Sequence, residues 1–304
     1  MSTNLPTNSN SDLGLRFTEL VTLFAMLLWS YTDVLSVFYR KWDADPQYSH
    51  GFLVPLIAVF ILWLRWPKDR EDLFRWSSWG VVLLVLALLV RHVSIRYYIE
   101  WFEQLSFVAC VLGLFAAIFG LSCWKWYTPS VVFLAFAVPL PHTLEVALRE
   151  PLRRAGTLAS TYFMQGFGLP AFATGNSITI GEAKVDVVGA CSGLRMMMVF
   201  FALSTAVAIC ASSRPMWQRA MIIVSAIPIA IFSNVIRITL TGTLYALNAP
   251  DGAHFLHDHA EWLMMPLALG LHLLELWIFD KLFIPEIVDH RPAGFGDAPA
   301  VPLP

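Results

Sequence analysis

The sequence predicts an all-α polytopic membrane protein with about eight transmembrane helices, and three observations lead to this fold class. The chain of 304 residues is 57% hydrophobic but only 14% charged, whereas a soluble domain carries about a quarter charged residues. Its mean hydropathy is +0.63. Apolar runs recur along the chain, most of them near the roughly 20 residues that a helix needs to cross a bilayer.

The predicted spans follow these apolar runs in order. They are residues 15–38, 52–66, 79–90, 101–121, 126–140, 190–211, 220–245 and 262–283. The second run is short unless it starts inside the loop before it. We expect one transmembrane domain at 15–285, a disordered polar N-terminus at 1–14 and a disordered Pro/Gly-rich tail at 286–304.

The longest polar insertion, residues 142–188, has two parts. Residues 144–169 place apolar side chains at helical spacing among charges, which predicts an amphipathic helix on the membrane surface. Residues 173–187 alternate and contain Gly175 and Gly181 where strands would turn. They predict a short β-hairpin that leads the chain to Cys191.

The charge distribution indicates orientation and excludes one class of partner. A net charge of -2 gives no basic footprint for nucleic acid. Lysine and arginine near the span ends favour a cytoplasmic N-terminus. With eight spans, the loop at 48–51, the Cys191 loop and the loop before Trp262 then share the opposite face.

Cys191 is the candidate nucleophile because it alone of four cysteines adjoins a polar segment. A helix that begins near it would favour a thiolate through its N-terminal dipole, and Arg195, one turn on, would add a positive charge. Ser192 and Gly193 leave room for a substrate backbone. The alternative is a buried structural cysteine beside an arginine that extends to the membrane surface.

Arg237 lies inside an apolar span, where a charged side chain is costly and indicates function. Asn234 precedes it by three residues and shares its helical face, together with Ser233 and Thr241. This polar stripe predicts that Arg237 points into the protein. The alternative is an arginine that reaches the lipid headgroups or is held by Asn234.

Three histidines, His254, His257 and His259, precede the last span. A histidine at the membrane edge can transfer protons near neutral pH. Their spacing fits no strong zinc pattern, and His257 and His259 could share a metal only in an extended chain. Plain interfacial histidines are the other alternative, and we predict no cofactor and no metal.

Cysteine, arginine and histidine at one membrane face suit acyl transfer. A thiolate attacks a peptide carbonyl to form a thioester, a guanidinium stabilises the oxyanion, and an imidazole protonates the leaving amine.

At these residues the sequence resembles the exosortase/archaeosortase family over about 45–283. Several motifs occur in the family's order. They are 45–55 (DPQYSHGFLVP), 139–141 (PLP), 175–176 (GN), 190–195 (ACSGLR), 234–237 (NVIR) and a histidine before the final span.

The resemblance implies that Cys191 is the nucleophile and Arg237 the arginine of the transition state. It selects His257, because the family pattern is a histidine, three residues and Gly-Trp, although Glu261 replaces the glycine. His259 remains a rival and His254 a third candidate. Arg195, Asn234 and Ser192 are supporting residues. Tyr48, Ser49 and His50 match a further motif, for which we expect substrate positioning.

The resemblance also implies the partners and the location. Substrates would be exported proteins whose C-terminal tails carry a motif such as Pro-Glu-Pro, a transmembrane helix and a basic cluster, with a glycan or amine as acceptor. The enzyme would lie in the lipid of a bacterial inner membrane with its active site facing the periplasm. Two alternatives stay open: a transporter that binds an anion at Arg237, and a non-catalytic factor for surface polysaccharide or protein export.

Overall fold

A computed structural model describes residues 9–67, 75–181, 183–186, 193–247 and 249–282 of the chain. The helices in these residues are α1 (Ser9–Ser30), α2 (Thr32–Ala44), α3 (Leu53–Leu64), α4 (Ser78–Tyr97), α5 (Glu100–Phe119), α6 (Trp124–Phe133), α7 (His142–Gly166), α8 (Leu194–Cys210), α9 (Met216–Ala246) and α10 (Pro250–Leu282). Short 3₁₀ helices are at Pro46–Phe52, Leu121–Cys123 and Leu134–Ala137. Three strands, β1 (Ala171–Thr174), β2 (Ser177–Ile180) and β3 (Ala183–Asp186), lie between α7 and α8.

The chain is an all-α polytopic membrane protein, as predicted. Five segments are long and apolar enough to cross a membrane: Pro46–Leu64, Ser78–Tyr97, Glu100–Phe119, Met216–Ala246 and Leu263–Leu282. Two bent helix pairs raise the number to seven if each is one span. The apolar α8 has 17 residues and is shorter than these. The count of eight therefore stays a prediction.

The first apolar run differs from the continuous span expected at 15–38. It bends by 70° between α1 and α2, and α1 begins at Ser9, inside the segment expected to be disordered. At the bend the Arg91 guanidinium donates to the carbonyl of Ser30 at 2.6 Å and lies over the Tyr31 ring. The Tyr31 hydroxyl bonds to Ser106. At the bend, both the Ser30 carbonyl and the Tyr31 hydroxyl therefore have polar partners. Contacts of this kind are an identifiable cause of a kink between helices.

The second span does begin inside the preceding loop, because the 3₁₀ helix Pro46–Phe52 leads directly into α3. The helices α4 and α5 form a close helical hairpin. A methyl group on Gly80 would collide with the backbone of Ala117, and one on Gly113 would lie 2.8 Å from the Leu84 nitrogen. Small residues allow this close approach of two apolar helices.

The insertion between α7 and α8 contains the predicted hairpin and one more strand. β1, β2 and β3 form an antiparallel sheet in that order. Gly175 and Gly181 occupy the two turns with φ of 63° and 60°, a conformation in which a Cβ is unfavourable. Ile178 and Ile180 pack with Met164 of α7 and Ile238 of α9. The sheet is thereby anchored to α9 just before the chain reaches residues 187–192.

The last three helices form one packed unit. Phe200 of α8, Ala230 of α9 and Ala268 of α10 belong to a single buried cluster. The helix α7 packs against α9, where a Cβ on Gly156 would lie 3.0 Å from Asn234 Nδ2 and the Ser160 hydroxyl donates to the Val235 carbonyl at 3.4 Å. The helical part of the prediction for 144–169 is thus confirmed, whereas its position on the membrane surface stays a prediction.

Candidate active site

The first described residue after the candidate nucleophile is Gly193, which caps α8. Cys191 and Ser192 lie outside the described residues, as does the helical relation expected between Cys191 and Arg195. Gly193 has φ 76° and ψ -20°, and its carbonyl accepts the first bond of the helix from Met197 N–H at 2.9 Å.

The side chain of Asn234 lies directly behind this cap. A Cβ built on Gly193 would be 3.1 Å from Asn234 Nδ2, and one on Gly156 of α7 would be 3.0 Å from the same atom. Asn234 is only 2% exposed. The amide therefore fills a space between α7 and the start of α8 that exists because both neighbours are glycines.

Arg237 is buried, with 2% of its surface exposed. Ser233, four residues before it, and Thr241, four after it, are 0% and 6% exposed. The polar stripe of α9 consequently faces the protein interior, which excludes the alternative that Arg237 extends into lipid headgroups. An arginine buried inside a membrane protein is a strong indication of a functional site.

The loop with the predicted Tyr48, Ser49 and His50 is a buried 3₁₀ turn rather than an open loop. Tyr48 is 2% and His50 6% exposed, whereas Ser49 is exposed and donates to the carbonyl of Pro46 at 3.0 Å. Of these three side chains, Ser49 alone is open to a substrate.

A polar network that the sequence analysis did not identify fastens this turn to α7. The Tyr48 hydroxyl donates to Glu145 Oε2 at 3.2 Å. Glu145 pairs with Arg149, and Arg149 Nη2 donates to Gln47 Oε1 at 3.1 Å. The feature of the sequence that could have indicated this network is the spacing of Glu145 and Arg149, four residues apart on an amphipathic helix. Such pairs are common on helix surfaces, so the spacing alone does not distinguish this site.

Arg195 joins the start of α8 to the same turn. Its Nε donates to the carbonyl of Pro46 at 2.8 Å. The structure therefore brings together two of the predicted parts, the turn at Pro46–Phe52 and the N-terminus of α8, at one end of the helices.

The three histidines lie in a helix, which corrects the loop that the sequence predicted. The helix α10 begins at Pro250, so positions 257 and 259 are about 200° apart around its axis. His259 is exposed, its Nδ1 lies 3.0 Å from the Phe255 carbonyl, and its ring stacks on Phe255. The side chains of His254 and His257 lie outside the described part of the chain.

Helical geometry removes the metal site that an extended chain would have allowed at His257 and His259. Among the described side chains there is no group of three or more His, Cys, Asp or Glu residues that could hold a metal ion. The approach of Cys191 and His257 to Arg237 stays a prediction, because neither side chain belongs to the described residues.

The comparison with protein families supplies independent information. A family described as transmembrane exosortase matches residues 42–274, about three quarters of the chain. The match includes the turn at 48–50, Cys191, Arg237 and His257. No characterised protein and no solved structure gives a significant match.

Proposed function

Because the chain belongs to the transmembrane exosortase family, we propose that it is a membrane-embedded cysteine protease and transpeptidase. Its substrates are exported proteins with a C-terminal sorting signal: a short motif such as Pro-Glu-Pro, a transmembrane helix and a basic cluster. The observation that supports this function best is the burial of Arg237. Arg237 lies three residues after Asn234 on α9, and Asn234 contacts Gly193, the cap of α8.

In the proposed reaction the Cys191 thiolate attacks the carbonyl carbon of the scissile peptide bond. The electron pair of the carbonyl moves to oxygen, and the Arg237 guanidinium stabilises this oxyanion. The tetrahedral intermediate collapses to a thioester as His257 protonates the departing amine. Water or an acceptor amine then attacks the thioester, His257 takes the proton of that nucleophile, and the Cys191 thiolate leaves.

The local structure supports the thiolate form of Cys191. The helix α8 begins at Leu194, three residues after Cys191 in the sequence, and helix N-termini favour negative charge. Arg195 is the second residue of this helix and adds a cation near the same end. A helix N-terminus and a nearby cation are both features of reactive thiol sites.

The turn at Pro46–Phe52 supports a role in substrate positioning. Arg195 fixes its start and Glu145 fixes Tyr48, while the exposed Ser49 is available to a bound peptide. We propose that this turn holds the sorting motif beside the start of α8, at the periplasmic face of a bacterial inner membrane.

The experiment is co-expression with an epitope-tagged protein that carries a sorting tail from the same genome. Cys191→Ala, Arg237→Ala and His257→Ala should each abolish conversion of the precursor to the shorter product on a gel. Cys210→Ala is the matched control, since Cys210 is an exposed cysteine at the far end of α8, and it should process normally. Normal processing in all three site variants would contradict the proposal.

A further inference from the structure

Four polar side chains meet inside the packed unit of α8, α9 and α10. Ser204 Oγ lies 2.6 Å from His272 Nε2, and His272 Nδ1 lies 3.3 Å from Glu275 Oε2. Ser225 of α9 reaches the same Oε2 at 2.7 Å. Ser204 and His272 are 0% exposed, and the Glu275 side chain is 16% exposed. Ionisable side chains inside membrane spans are rare and indicate function.

The hydrogen bonds of Ser204 limit where the protons of this cluster can lie. A serine hydroxyl has one proton, and Ser204 lies within hydrogen-bond distance of two acceptors, the Phe200 carbonyl at 2.7 Å and His272 Nε2 at 2.6 Å. If the proton bonds to the Phe200 carbonyl, Ser204 accepts from His272, whose own proton is then on Nε2. The other ring nitrogen, Nδ1, then faces Glu275 Oε2, and two lone pairs would repel unless one further proton lies between them.

That proton makes the cluster electrically neutral. It belongs either to a carboxylic acid beside a neutral imidazole or to an imidazolium beside a carboxylate, and the total charge is zero in both forms. If Ser204 instead donated to Nε2, the cluster would hold an unbalanced carboxylate. An unbalanced charge near the middle of a membrane helix is unfavourable.

Three arginines on or next to these helices have other partners or lie at a distance from the cluster. Arg214 pairs with Asp280 at 2.9 Å, and Arg219 donates to the carbonyl of Ala208. Arg237 is twelve residues along α9 from Ser225, which corresponds to about 18 Å.

The order serine, histidine, glutamate resembles a hydrolase triad, but Ser204 is not accessible as a nucleophile. Neither Ser204 nor His272 has exposed surface. A neighbouring cavity of about 380 Å³ is lined by Leu203 and Leu269 rather than by the polar cluster. The cluster therefore acts within the protein and not on a substrate.

We propose that Ser204, Ser225, His272 and Glu275 hold one proton in a neutral cluster that fixes α8, α9 and α10 in a single register. The candidate catalytic residues belong to the other ends of these three helices. Cys191 precedes α8, Arg237 is in α9 and His257 is in α10. The cluster would thus position Cys191, Arg237 and His257. This consequence rests on the proposed function, whereas the inference of a bound proton does not rest on it. The four residues are positioning residues and do not touch the substrate.

The proton is tested directly by NMR of the purified full-length protein in lipid bilayers. Histidine ¹⁵N and glutamate carboxyl ¹³C signals are recorded at neutral pH, and His272→Gln and Glu275→Gln assign the two resonances. We expect a protonated carboxyl at 275 or a doubly protonated ring at 272. An ionised carboxylate beside a singly protonated ring would overturn the proposal, whatever reaction the protein catalyses.

Substitutions test the positioning role. Glu275→Gln keeps the cluster neutral, because its amide can donate to Nδ1 and accept from Ser225, so its thermal midpoint should stay within about 2 °C of wild type. Glu275→Ala leaves the buried His272 Nδ1 without its partner, while Ser225 keeps its bond to the Ile222 carbonyl, and it should lower the midpoint by about 3 °C or more. Glu100→Ala, at an exposed position of α5, is the matched control and should change neither midpoint nor processing.

Processing kinetics separate positioning from mere stability. Measured well below the midpoint, Glu275→Ala should reduce kcat about tenfold with KM within about twofold of wild type, because misplaced catalytic groups affect the chemical step. Glu275→Gln should restore kcat. A normal kcat in Glu275→Ala would overturn the positioning role. If wild type processes no substrate, the proposed function fails, while the NMR result still decides the bound proton.

Discussion

The side chain of Asn234 in α9 packs directly against Gly193, the residue that caps α8: a methyl group on this glycine would lie 3.1 Å from the amide nitrogen of Asn234. This contact joins α9, the helix that contains Arg237, to the start of α8. In the sequence Asn234 lies three residues before Arg237, and Gly193 lies two residues after Cys191.

The contact predicts that Gly193→Ala is harmful. At φ 76° an alanine is strained by roughly 1–2 kcal/mol, and its methyl group would press on Asn234. We expect a less stable protein and at least tenfold slower processing, measured by thermal unfolding and by precursor conversion. Gly270→Ala in α10 is the matched control, because a methyl group there meets nothing within 4 Å. Equal behaviour of the two variants would contradict the tight fit at Gly193.

The buried Arg237 predicts that a lysine does not replace it. Lysine keeps the charge but lacks the planar fork of donors, so Arg237→Lys should lower the processing rate about 10²–10³-fold, as loss of an oxyanion donor does. Arg40→Lys, at an exposed position of α2, should have no effect. Processing by Arg237→Lys at the wild-type rate would show that charge alone is sufficient.

The network between Tyr48 and Glu145 predicts coupled effects. Tyr48→Phe and Glu145→Ala should each slow processing, and the double variant should be no slower than the more affected single variant, because both remove the same bond. A double-mutant cycle of initial rates measures this coupling. Tyr39→Phe controls for loss of a tyrosine hydroxyl, since Tyr39 is 59% exposed. Additive effects would argue against a shared role in holding the turn.

The exposed, stacked position of His259 predicts that it is dispensable. His259→Ala should process substrate within about twofold of wild type, the range expected of a surface substitution, whereas His257→Ala should be inactive. Precursor conversion in cells distinguishes the two when expression is matched by immunoblot. Inactivity of His259→Ala with full activity of His257→Ala would transfer the acid–base role to His259.

Several features could be predicted from the sequence because they depend on local pattern. Long apolar runs give helices that cross a membrane, and glycines at 175 and 181 give turns between short strands. The burial of the stripe at Ser233, Asn234 and Arg237 could also be predicted, because a helix period places these residues on one face and lipid excludes that face.

Other features needed contacts between residues far apart in the chain. The bend at Tyr31 depends on Arg91, which is sixty residues away, and the turn at Tyr48 depends on Glu145, almost a hundred residues away. The residues that flank each member of these two pairs in the sequence give no indication of the contact. The helix through the three histidines was missed because a polar run before an apolar span looks like a loop.

The sequence by itself determined that this protein is a helical membrane protein of one family and which residue types are available for chemistry, since hydropathy and motif order are properties of a linear chain. Only the tertiary structure decided that Asn234 packs against the cap of α8, that Tyr48 bonds to Glu145, and that His272 and Glu275 share a buried cluster with two serines. The physical reason is that burial and hydrogen bonding depend on which helices pack together, and the chain alone does not specify those neighbours.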